Sequence, residues 1–172
     1  MNSGIGGDTA PSAPTSFRNC DDAMLPSRPR SRPPLRSIVV MLAGLLRERG
    51  ALDEAEPLYR QAISAAPSSS AGEWFNLGRV HAERDELGPA RDAYRQAFEL
   101  DPGDLRGVLA QHLSLPMVYE SAAHVASARA AFATELRELD ARVSSLVSGL
   151  RADQVLDGLR WTNFFLAYQG KN

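Results

Sequence analysis

Between residues 37 and 159 apolar side chains recur every three or four positions, the period that gathers them on one face of an α-helix. The breaks between these stretches set the helices. The first spans 37–49 and stops at Gly50, which readily takes the left-handed conformation that ends a helix. The second starts at Asp53, whose carboxylate suits the free amides of a helix start, and is closed by Pro67. Helices over 72–84 and 88–100 follow, then the turn Asp101-Pro102-Gly103-Asp104. A helix over 105–115 is interrupted by Pro116. Ser121 then caps a long helix with Val125, Ala128, Phe132, Leu136, Leu139, Val143, Leu146 and Leu150 along one unbroken stripe. Such a stripe must be buried, and capping the second helical pair is its expected role. Val155, Leu156 and Leu159 point to a last short helix.

Two of these helical pairs are copies of one another. Ala55, Tyr59, Ala62 and Pro67 return as Ala90, Tyr94, Ala97 and Pro102, every step 35 residues. Val39, Leu42 and Ala43 likewise stand where Trp74, Leu77 and Gly78 stand one copy later. Large residues fall where two antiparallel helices bury a seam, and small ones where their backbones approach. Trp74, Leu77, Gly78, Ala90, Tyr94, Ala97 and Pro102 match the tetratricopeptide repeat, a helix–turn–helix unit of about 34 residues. The expected fold is all-α: two such repeats in a short superhelix, capped by a third helix and a long C-terminal helix. The repeat region is placed at 36–115 and the helical cap or linker at 116–172. Residues 1–35, rich in Ser, Pro, Gly and Arg, lack the apolar surface to offset ordering and are expected to be disordered.

Composition narrows the partners. The chain has 172 residues, 44% of them hydrophobic, enough for one modest core. A net charge of −2 without a dense Lys/Arg stripe argues against nucleic acid. The apolar run 38–46 is far short of the ~20 residues a membrane helix needs, so no membrane association is expected. Cys20 is the only cysteine, which fits a cytoplasmic setting and excludes an internal disulfide. His112 and His124 stand apart from other ligand-type residues in the sequence, His81 occupies a seam position, and no metal or other cofactor is expected.

The later part of the chain carries a more specific likeness. After the repeats come Leu115-Pro116-Met117-Val118-Tyr119-Glu120-Ser121, a long Ala/Arg-rich helix, then Thr162-Asn163-Phe164-Phe165-Leu166-Ala167-Tyr168-Gln169-Gly170-Lys171-Asn172. This order resembles the region before the catalytic domain in bacterial SPINDLY-like O-linked N-acetylglucosamine transferases. The resemblance covers about residues 36–172. It implies that the aromatic segment holding Trp161, Phe164, Phe165 and Tyr168 leads toward two catalytic lobes. No position of this sequence corresponds to their nucleotide-sugar pocket or catalytic base.

Helix A of each repeat lines the inner surface of such a superhelix. By template position Ser37, Val40, Gly44, Arg47 and Glu48 line it in the first repeat, and Phe75, Asn76, Arg79, Ala82 and Glu83 in the second. An amide pairs with a peptide backbone without reading its sequence, and arginines fork onto carboxylates. The resemblance implies the backbone-pairing role for Asn76, and Met41 fills the same place in the first repeat. The expected peptide-binding set is Asn76, Phe75, Arg79, Glu83, Val40 and Arg47, with no catalytic residue. Two functional readings follow: a non-catalytic module that binds an extended peptide or a partner protein, or the front of a truncated or split glycosyltransferase that requires a separate catalytic chain.

Overall fold

A computed structural model describes residues 34–159. Residues 1–33 of the expected leader 1–35, and the aromatic segment from Trp161 onward, lie outside the described residues, while Leu35 at the end of that leader already opens a helix. Seven helices follow one another: α1 (Leu35–Glu48), α2 (Leu52–Ala65), α3 (Ala71–Glu83), α4 (Leu87–Leu100), α5 (Leu105–Leu113), α6 (Ala122–Val147) and α7 (Ala152–Leu159). A single 3-10 turn, Pro67–Ser69, joins α2 to α3.

The hairpins α1–α2 and α3–α4 close alike. Both first helices end with paired backbone hydrogen bonds that fold the chain back through a left-handed residue. In the first, Ala51 donates to Leu46 and Gly50 to Arg47, each at 2.9 Å, with Gly50 at φ 78°. In the second, Glu86 donates to His81 and Asp85 to Ala82, with Asp85 at φ 62°. Left-handed backbone costs a non-glycine residue about 1–2 kcal/mol. The Asp85 carboxylate also accepts a hydrogen bond from the Met117 amide at 2.9 Å, tying the Leu-Pro segment to the second hairpin.

Three buried clusters run through the stack. Ala43, Ala55, Tyr59, Ile63, Leu77 and Val80 join the two hairpins. Phe75, Ala90, Tyr94, Ala97 and Ala110 join α3 and α4 to α5. Leu105, Val108 and Leu139 carry the core on to α6 and α7. The small residues set the spacing: a Cβ added to Gly78 would stand 2.6 Å from the Tyr94 ring, too close for any real side chain. Arg36 ties α1 to the start of α3 through Glu73 at 2.9 Å and the Ser69 carbonyl at 2.9 Å.

Two local expectations are corrected. Asp53 does not cap α2, which starts at Leu52 with no side chain closing it. Its carboxylate instead pairs with Arg84, at the end of α3, at 2.5 Å. The long helix, in turn, rests chiefly on α5, through Leu139, Leu146 and Val147 beside Leu105 and Val108. It reaches α4 through Glu135, which faces Arg91 at 3.6 Å, while Leu136 and Val143 of its apolar stripe stay exposed. Ser121 caps it as expected, accepting from the His124 amide at 3.1 Å.

Arg84 also holds Glu56 of α2, and this hydrogen bond keeps the Glu56 carboxyl below its ordinary value of 4.5. A depressed folded-state pKa stabilises the fold above the unfolded value, and that gain is lost as pH falls through the folded value. Glu56→Gln should therefore lower stability by about 1 kcal/mol at neutral pH. The deficit should shrink as pH falls below 4.5. Urea unfolding of both proteins across pH measures this, and a pH-independent deficit would contradict it.

Candidate functional site

The inner strip is built by α1 and α3, the first helices of the two hairpins. One turn apart on α3 stand Asn76 and Arg79, both half-buried. Neither has a hydrogen-bond or ion-pair partner among the described residues. The positive charge of Arg79 is felt by the hydroxyls of both Tyr59 and Tyr94. Burial pushes both tyrosines above the ordinary value of 10, and Arg79 opposes the shift at each. These phenols are therefore neutral hydrogen-bonding groups at physiological pH.

Arg47 and Glu83 are joined to each other. Arg47 of α1 meets Glu83 of α3 at 2.6 Å, so the pair clamps the two helices together. Val40 is half-buried and packs against the first core cluster.

Phe75 corrects the expectation. Its ring is buried against Tyr94, with centroids 5.4 Å apart, and the Arg106 guanidinium lies 5.0 Å above it. It is a core residue, and Arg106 of α5, itself held by Asp104 at 2.6 Å, is the group that covers this end of the strip. Sequence spacing did not single out Arg106, because α5 lies beyond the two repeats.

The histidines differ from expectation in one respect. His81 is buried at its seam position, with Nδ1 2.6 Å from Glu86. His112, isolated in sequence, is brought to Glu135 at 2.7 Å, and Glu138 completes a group whose ligand-type atoms lie within 4.8 Å of one another. Arg91 already faces the other oxygen of Glu135. A cation there would meet a like charge, so the cluster reads as a tie between α4, α5 and α6. Across α3 from Asn76, a depression of about 510 Å³ is lined by Ile63, Trp74, Leu77, Pro89 and Ala93 among others.

Comparison with known families agrees with this geometry. Residues 37–69 and residues 71–104 each match a tetratricopeptide-repeat family model. The chain therefore carries two tetratricopeptide repeats, α1–α2 and α3–α4, with α5 to α7 stacked beyond them. Repeats of this kind take proteins or peptides as partners. No curated protein matches the chain. Among the described residues no helix is long and apolar enough to cross a membrane.

The two roles assigned to Phe75 separate cleanly in the laboratory. Phe75→Ala should lower unfolding free energy by about 3–4 kcal/mol, the scale of an emptied aromatic core site. A loss below about 0.5 kcal/mol would mean the ring belongs to the surface after all.

Proposed function

We propose that the chain is a non-catalytic module that binds an extended peptide along the inner strip, in a cytoplasmic setting. The observation that carries this reading is the pair Asn76 and Arg79: two polar side chains one turn apart, half-buried and partnerless among the described residues. A half-buried amide without a partner gains from a ligand backbone that supplies donor and acceptor at once. Arg79 takes a carboxylate of the same peptide. Arg47 and Glu83 hold the wall on which the peptide lies, and Val40 gives it apolar footing. Phe75 contributes from beneath, by fixing α3 against α4.

Peptides selected from a random phage-displayed library against the full chain provide the probe. Asn76→Ala should weaken their binding about five-fold, the equivalent of one hydrogen bond, with helicity unchanged. Arg79→Ala should weaken acidic members of the set most. Unchanged affinity in both variants would discard the inner strip as the binding face.

A second reading has its own observation. Leu136 and Val143 of α6 and Leu156 and Leu159 of α7 are exposed, an apolar surface of the kind another polypeptide covers. Together with the resemblance to pre-catalytic regions of peptide glycosyltransferases, this favours assembly with a separate catalytic chain. On that reading the chain alone binds a hydrophobic dye such as anilinonaphthalene sulfonate, and Leu136→Glu with Val143→Glu lowers the signal. A chain that binds no dye would count against it.

A further inference from the structure

The first helix carries a face that the stack itself leaves uncovered. Leu35, Ile38, Leu42 and Leu45 follow one another at steps of three and four residues, with Met41 beside them. Their exposures include 82% at Leu35, 64% at Met41 and 57% at Leu45. No charged residue interrupts positions 37–46. The internal repeat shows what such a face receives. Leu42 and Leu45 stand 35 residues before Leu77 and Val80. Those two are only 3% and 0% exposed, because Tyr59 and Ile63 of α2 lie over them. The face of α1 is thus shaped to take an antiparallel amphipathic helix, and none of the described helices occupies it.

We propose that the occupant is α1 of a second copy, packed antiparallel about a two-fold axis. Centred on residue 40, the pairing sets Leu35 against Leu45 of the partner copy and Ile38 against Leu42, so each apolar residue meets another. The five side chains leave on the order of 600 Å² open per copy, and a symmetric pair buries about 1,200 Å², the lower edge of stable specific interfaces. Charge agrees with the antiparallel sense. The first turn of α1 has no acidic residue and no capping side chain, while Glu48 is exposed at its other end. The antiparallel pairing brings each Glu48 toward the partner's uncapped amides, where a negative charge is favoured. A self-complementary contact of this kind closes at two copies and does not propagate.

The test is the mass of the full chain by analytical ultracentrifugation, with charge variants at the paired positions. The wild-type protein should show twice its 18.7 kDa mass at tens of micromolar and dissociate on dilution. Leu45→Glu and Leu35→Lys, each alone, should yield monomers with unchanged helicity by circular dichroism. Combined in one chain they should restore the dimer at low salt, since each Lys then faces the partner's Glu. Three outcomes would overturn the proposal: a wild-type monomer throughout, a dimer that survives Leu45→Glu and so uses the α6–α7 surface, or a mass that keeps growing with concentration, as head-to-tail association requires.

Discussion

The stack depends on an aromatic ring lying against a helix that has almost no side chain at the contact. Tyr94 of α4 presses on Gly78 of α3 so closely that even a methyl group at Gly78 would collide with the ring. Tyr59 and Ala43 make the corresponding contact in the first hairpin, both essentially fully buried. These contacts bring the paired helices together, and the close approach turns the first helices α1 and α3 side by side. The inner strip exists because of that arrangement. Each hairpin buries its seam only when the next one covers it, so stability is handed from neighbour to neighbour along the stack.

This handing-on explains the division of labour among the charged residues. Arg36, Arg47 and Arg84 each leave their own helix to find a carboxylate on another: Glu73, Glu83, and the pair Glu56 and Asp53. Each of these contacts joins the first hairpin to the second. Among the described residues Arg79 sits in the same neighbourhood without an ion-pair partner, which sets it apart from the structural arginines around it. The candidate site is thus the part of the strip that the ties between hairpins have not used.

Much of this was legible in the sequence. The small and large positions repeating at 35 residues located both hairpins, since a seam leaves a strict record in residue size. The stop at Gly50 was equally plain, because glycine is the usual left-handed residue at a helix end. The same stop at Asp85 was hidden, because only its place in the repeat and its bond to Met117 explain an aspartate there. Phe75 was misread because the inner and seam faces of a helix differ by less than one turn, and the Tyr94 ring decides the matter. The Glu135–His112 contact joins α6 to α5, beyond the two repeats, where no template gives a register. The α6 stripe announced burial without naming its support, and α5 shields only its later half.

The claim on which the account turns is that peptides are held on the Asn76 side of α3. Amide chemical-shift mapping of the labelled full chain, titrated with a library-selected peptide, tests it without altering the protein. The account predicts perturbations concentrated at Val40, Gly44, Asn76, Arg79 and Glu83. Perturbations centred instead on Ile63, Trp74, Ala93 and Gln96, along the depression on the opposite side of α3, would contradict it.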